Sequence, residues 1–197
     1  MSEALSILVA EPDRKRVSMI VDGLRAAGDF DIQVVPGPSG LARQIEIRDP
    51  DAILIDIADP SLDVLQEFLL AASPKERPVA VFAGRSEDGL PAAAVDAGVS
   101  AYVVDGLQPS RLKPVLDTAI ARFRVVQRLR GELAEAKRAL EDRKLTDRAK
   151  GMIMKARNIG EDEAYALLRK AAMDQNKRIA DVAQALVTAA GLLAATR

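Results

Sequence analysis

Five short apolar runs, alternating with stretches of helical spacing, restrict the first 109 residues of this 197-residue chain more than any other feature. The runs are residues 5–10, 32–35, 52–55, 79–82 and 101–104, rich in Val and Ile and closed by Glu, Pro, Asp or Gly. Between them, residues 15–27, 39–48, 62–72 and 87–97 space their apolar side chains as helices do. Strands joined through helices run parallel, and the crossovers place helices on both faces of the sheet. The pattern therefore predicts an α/β domain over 1–109 built on a parallel sheet. In such sheets the ligand crevice lies beyond the carboxyl ends of the strands, which singles out Glu11, Asp13, Asp56, Ala83 and Asp105.

The rest of the chain carries only helical patterns. From residue 110 to 146 nothing after Pro114 breaks a helix apart from one Gly131. Val126, Leu129, Leu133, Ala136 and Leu140 recur at three, four, three and four residues, a heptad seam surrounded by Arg, Lys and Glu. Residues 110–142 are expected to form a linker helix. The seam suits either a parallel coiled-coil dimer or a helix folded back on its own α/β domain, and the dimer is favoured because paired output units bind paired elements with avidity.

Over 143–197 three short amphipathic patterns follow, broken at residues 158–160 and 174–177. Their apolar faces are Leu145, Ala149, Met152 and Ala156, then Ala164, Leu167, Leu168, Ala171 and Ala172, then Ile179, Val182, Ala183, Leu186, Val187 and Ala190. The second opens with Glu161, Asp162 and Glu163, which suit the positive end of a helix dipole. Helices this short are marginal alone in water, so a packed three-helix unit is expected.

Charge is divided unevenly along the chain. Residues 1–109 hold nine Lys and Arg against eighteen Asp and Glu, whereas residues 143–178 hold ten against five, in a chain whose net charge is −1. Lys144, Arg148 and Lys155 share one helical stripe, Arg143, Lys150 and Arg157 another, and Lys177 and Arg178 follow. A basic patch of this kind is an electrostatic footprint for a phosphate backbone, although the same stripe is also what a solvated helix face looks like. Cysteine and histidine are absent. Their absence excludes disulfides, thiolate nucleophiles and His-containing triads, so an enzyme is not expected. The first residues have no basic n-region, and no run of about twenty apolar residues exists. A cytoplasmic protein without a membrane partner is expected.

Three resemblances follow from particular residues. Arg148-Ala149-Lys150-Gly151, Met154, Glu163-Ala164, Leu168-Arg169, Ala172-Met173, Asn176-Lys177 and Ala183 together resemble the ANTAR domain, an RNA-binding output module of bacterial antitermination regulators. One departure is Ala172, where that family commonly has serine. Asp56-Ile57-Ala58-Asp59-Pro60 and Ala97-Gly98-Val99-Ser100-Ala101-Tyr102-Val103-Val104 are similar to the phospho-acceptor loop and fifth-strand approach of response-regulator receiver domains. That likeness implies a flavodoxin-like fold, with Asp56 as candidate phospho-acceptor. It also implies an acidic pocket of Glu11, Asp13 and Asp56, in which Mg²⁺ is the one candidate cofactor, at Glu11 and Asp56.

Receivers use an acidic pair after the first strand, a Ser or Thr after the fourth and a Lys after the fifth. Here those places hold Glu11 with Pro12, Ala83 and Asp105. An anion in place of the cation repels phosphate, by roughly 4 kcal/mol at 4 Å and an effective dielectric near 20. The domain is therefore expected to be a pseudo-receiver. The ending Ala101-Tyr102-Val103-Val104-Asp105-Gly106-Leu107 further resembles NasT-type regulators of nitrate and nitrite assimilation, which implies a nitrate- or nitrite-sensing inhibitor protein as partner.

These readings converge on a transcription antitermination regulator that binds RNA hairpins of leader transcripts. Arg143, Lys144, Arg148, Lys150, Lys155, Arg157, Lys177 and Arg178 would contact the backbone, and Gln175 and Asn176 would read loop bases. Tyr165 is the one aromatic of the helical unit, so a stacking platform is not expected. The alternative is a phosphorylation-dependent regulator whose helical output binds a protein or DNA. For DNA, the segment 177–184 offers Arg178, Asp181 and Gln184 to a groove.

Overall fold

The computed structural model describes residues 4–105 and 107–194, so Gly106 of the NasT-like ending and both extreme termini lie outside the described residues. The chain divides into two compact units, Met1–Gln127 and Arg128–Arg197.

The first unit is the expected parallel α/β domain. Strands β1 (Leu5–Ala10), β2 (Phe30–Val35), β3 (Ala52–Ile57), β4 (Val79–Ala83) and β5 (Ala101–Val103) form one sheet in the order β2-β1-β3-β4-β5. Helices α1 (Arg14–Ala27), α2 (Pro38–Arg48), α3 (Leu62–Ala72) and α4 (Leu90–Ala97) make the crossovers. Every residue of β3 is buried, as befits a central strand covered on both faces. On one face Leu8, Ile53, Ile55 and Val81 meet Leu41 and Ile45 of α2, Leu65 and Phe68 of α3 and Ala94 of α4. On the other, Ile7, Val9, Leu54 and Phe82 meet Ile20 and Leu24 of α1 and Leu112 and Leu116 of the following helix. Gly23 lets those two helices close up, because a Cβ there would stand 2.8 Å from Leu112 Cδ1.

This two-sided alternation positions the pocket. Ile7 and Val9 face α1, so Glu11 just past β1 follows their side, and Asp56 follows Leu54 in the same way. With Val9 opposite Leu54 and Ala10 opposite Ile55, the two acids come next on adjacent strands.

Several element ends lie one or two residues from the sequence pattern, as where β2 opens at Phe30 and not 32, and two boundaries differ more. Helix α4 begins at Leu90 and not at 87, because Gly89 sits in the left-handed region at φ 93° and Pro91 belongs in a first turn. More consequentially, linker and first output helix are one element, α5 (Pro109–Arg157), 49 residues long. The expectation of a short first output helix is corrected: residues 143–157 inherit the stability of a long helix already under way. No proline follows Pro114, and α5 stops where Asn158 turns left-handed at φ 53°.

In the second unit the end of α5 packs with α6 (Glu161–Asp174) and α7 (Ile179–Ala194). Ala149, Leu168, Ala183 and Val187 form its centre, surrounded by Leu145, Met152, Ile153, Ile179, Val182 and Leu186. Ala156, expected on the buried face, is exposed. Among the described residues no helix is long and apolar enough to cross a membrane.

Candidate nucleic-acid interface and carboxylate pocket

The pocket at the carboxyl end of the sheet is occupied by a side chain of the chain itself. Arg16, in the first turn of α1, donates from Nε to Asp56 Oδ2 at 2.9 Å and to Glu11 Oε2 at 3.2 Å. Its second terminal nitrogen donates to Asp56 Oδ1 at 2.6 Å and Oδ2 at 2.7 Å. Both carboxylates are buried, with side chains 3% and 0% exposed. Burial pushes the Glu11 carboxyl up to about 7, with the Asp13 amide pulling against it and the neighbouring Asp56 carboxylate adding to it. The Asp56 contact, ahead of the others, raises the Arg16 guanidinium above its ordinary value.

Asp13 does not join this pocket. It caps α1, accepting from the amides of Lys15 at 2.7 Å and Arg16 at 3.3 Å, while its own amide donates to Glu11 Oε1 at 2.7 Å. The acidic triad is corrected to a pair plus a helix cap. Nor do the residues suit the Mg²⁺ that a receiver's pocket implies. Mg²⁺ requires a near-octahedral shell of oxygens at about 2.1 Å, and here both Asp56 oxygens and one Glu11 oxygen already hold a guanidinium. Ala83, buried at the end of β4, and Asp105, at φ 73°, supply neither hydroxyl nor cation.

In the helical unit the basic candidates separate into two kinds. Lys150 Nζ lies 2.7 Å from both Asp147 and Glu161, joining α5 to the start of α6, and Asp147 first holds its ammonium above the ordinary value. Arg178 lies 3.1 Å from Asp142 and also pairs with Asp181, joining the start of α7 to α5. These two cations, at the surface of the bundle, are tied to carboxylates of neighbouring helices. Arg143 stands 3.9 Å from Asp147, and Lys144 2.8 Å from Glu141, both on the open helix surface. Arg148, Lys155 and Arg157 are exposed, with no carboxylate holding Arg148 or Lys155 among the described residues.

Gln175, Asn176 and Lys177 form the turn from α6 to α7. Asn176 adopts φ 50° and the Lys177 amide reaches Ala172 O at 2.9 Å. Asn176 therefore has a backbone reason for its identity. Gln175 Oε1 accepts from Lys177 Nζ at 3.3 Å.

Sequence reasoning passed over Arg16 and weighed Tyr165 only as too few aromatics for a stacking platform. Arg16 belongs to the run Arg14-Lys15-Arg16, three cations in a first turn with no acid, against the helix dipole. That local conflict was the available signal. Tyr165 is 42% exposed and shares a shallow concavity with Arg143, Lys150 and Arg178.

Comparison with known proteins agrees with this layout. Residues 134–187 match the ANTAR domain, a span that opens inside α5. Over 180 residues the chain is 32% identical to the transcriptional regulatory protein PdtaR of Mycobacterium tuberculosis, covering 89% of this chain and 87% of that protein. It is 45% identical over 67 residues to the nitrate regulatory protein of Klebsiella oxytoca, covering 34% of this chain and 17% of that protein. Among solved structures, a CheY-like receiver domain protein of Methanospirillum hungatei superposes with a TM-score of 0.53 at 16% identity, over 62% of this chain and 98% of that one. That last likeness is one of fold alone.

Proposed function

The chain belongs to the family of transcriptional regulators that join a receiver-like domain to an ANTAR domain, and from that premise we propose that it is an antitermination regulator whose helical unit binds RNA hairpins in leader transcripts. The observation that carries this reading is the exposed stripe of Lys144, Arg148 and Lys155 on α5, within the matched span. Cations left open to solvent are those that release counterions when phosphates arrive. Arg143, Arg157 and Lys177 extend the surface on other faces, and Gln175, Asn176 and Tyr165 offer contacts to unstacked loop bases. Lys150 and Arg178 contribute chiefly by holding the three helices in register.

The exposed seam supports a homodimer. Leu129, Leu133 and Leu140 are 55%, 55% and 54% exposed, with Ala136 also exposed and Val126 half-buried. A parallel partner would cover this stripe and set two output units side by side, matching a pair of hairpins. We place the protein in the cytoplasm, in control of nitrate and nitrite assimilation genes, and held off by a sensor protein for those anions. The NasT-like ending at 101–107 and the partial likeness to a nitrate regulatory protein support that assignment.

The test is a titration of the purified protein against a paired-hairpin leader RNA, the same RNA with scrambled loops, and a DNA duplex, each at two salt concentrations. Loop-dependent RNA binding that Arg148→Ala and Lys155→Ala weaken is the expected result. Equal, salt-sensitive binding to all three would reduce the basic face to a generic polyanion surface and send the search to a protein-docking output.

A further inference from the structure

We infer that Arg16 is a built-in cation standing where a receiver holds its divalent ion, so that neither Mg²⁺ nor a phosphoryl group on Asp56 carries the input of this domain. The inference is independent of RNA binding. It begins with the geometry of the acceptor carboxylate: Arg16 engages both Asp56 oxygens, at 2.6 to 2.9 Å, and one Glu11 oxygen at 3.2 Å. A carboxylate attacks phosphorus through an oxygen lone pair, and a guanidinium fork on both oxygens draws off that electron density and blocks the approach. The Asp56 side chain is 0% exposed, so a phosphodonor has no open path to it.

The surroundings point the same way. A phosphoryl group at Asp56 would bring added negative charge beside Glu11, with Ala83 at the end of the neighbouring strand offering no hydroxyl to its oxygens. The positive charge of Arg16, already shared by Glu11 and Asp56, would then have more negative charge to balance. A divalent ion meets the opposite obstacle. Its oxygen ligands are committed, and it would have to evict an arginine that is anchored by the capped first turn of α1, where Asp13 accepts from the Arg16 amide itself at 3.3 Å. Arginine suits this task better than lysine, because its planar fork satisfies the two oxygens of Asp56 while Nε turns to Glu11. The pocket is thus a closed ionic lock, and the input of this unit is not written at Asp56.

The experiment uses the full chain. Wild-type protein is titrated with MnCl₂ by electron paramagnetic resonance and with MgCl₂ by calorimetry, and is incubated with acetyl phosphate and Mg²⁺ for intact-mass analysis. No saturable ion site in the millimolar range and no phosphorylated species are expected. Arg16→Ala should gain an ion site, seen as a melting temperature that rises by several degrees at about 10 mM Mg²⁺, since an ion that binds only the folded state stabilises it. Adding Asp56→Asn should abolish that rise. Saturable Mn²⁺ binding to wild type that Asp56→Asn removes, or phosphorylation of wild type at Asp56, overturns the inference. So does a folded Arg16→Ala variant that gains no ion site. If Arg16→Ala folds only when Mg²⁺ is present, the substitution of arginine for metal is supported directly; if it does not fold at all, the wild-type ion and phosphodonor measurements decide.

Discussion

In the α/β unit a guanidinium is gripped by two carboxylates that are 3% and 0% exposed, whereas on α5 of the helical unit Arg148 and Lys155 stand in solvent and pair with no carboxylate among the described residues. The same residue types therefore do different physical work. A buried charge is held by its partners, because water no longer solvates it and the attraction between unlike charges is weakly screened. An exposed, unpaired cation adds little to folding and remains available to a polyanion. Lys150 and Arg178 lie between these extremes, on the surface but tied to carboxylates of neighbouring helices. Stability and binding should accordingly come apart when the two regions are mutated.

The largest effect belongs to the lock. Arg16→Ala leaves Asp56 and Glu11 buried without their cation, and removing one partner of a buried ion pair costs about 3–5 kcal/mol. Urea unfolding followed on the α/β unit should record a loss of that order. A loss under 1 kcal/mol would place the pocket with the exposed charges and erase the contrast. Next in size is the linker seam. Burying one leucine side chain is worth about 1.5–3 kcal/mol, and in a dimer each substitution acts on both chains. Leu133→Asp should therefore raise the dimer dissociation constant more than tenfold in sedimentation equilibrium. An unchanged monomer would show that the exposed leucines have no partner copy.

A third effect is read against pH. Glu11 has a folded value near 7, above its ordinary value of 4.5, so the folded state binds this proton more tightly than the unfolded state. Its favourable contribution is complete below about 4.5 and is lost as pH rises through about 7. Glu11→Gln removes the titration. Compared with wild type, the variant should gain on the order of 1–2 kcal/mol in relative stability between acidic and mildly alkaline pH. A wild-type curve parallel to that of Glu11→Gln over this range would mean that burial does not hold the Glu11 proton.

The chain order of strands and helices was legible because it depends on local spacing: α3 is found at 62–72 as read, and β1 at 5–10. The opening of α4 was misjudged by weighing apolar spacing over the breaker Gly89. Continuity of α5 was also written locally, in the lack of any break between residues 140 and 146, but a division by motif hid it. The pocket was half legible. Glu11 and Asp56 follow from strand ends, and the missing Lys and Ser or Thr follow from Asp105 and Ala83. Arg16 depends on two strands being neighbours and on α1 covering their shared face, a contact across 40 residues that no local pattern encodes. In the bundle, amphipathic spacing located the core, but it could not separate free cations from paired ones. That distinction requires knowing that Glu161 lies beside Lys150 and Asp142 beside Arg178.

The smallest change in folding should divide the two kinds of cation most sharply. Arg148→Ala removes a charge that no carboxylate among the described residues engages, so the melting temperature should hold while RNA affinity falls at low salt. If Arg148 meets one phosphate, the slope of log affinity against log salt should shrink by about one. Lys150→Ala removes the tie from α5 to α6, and its first consequence should be a lower melting temperature of the helical unit, with RNA binding weakened only as the bundle loosens. Lys150→Arg keeps the charge and a reach to both acids, so it should recover most of that loss. If instead Lys150→Ala leaves melting unchanged and lowers the salt slope as Arg148→Ala does, Lys150 must release Asp147 and Glu161 to take a phosphate. Paired surface cations would then count as a reserve for RNA, and the boundary between structural and binding charge would lie at burial alone.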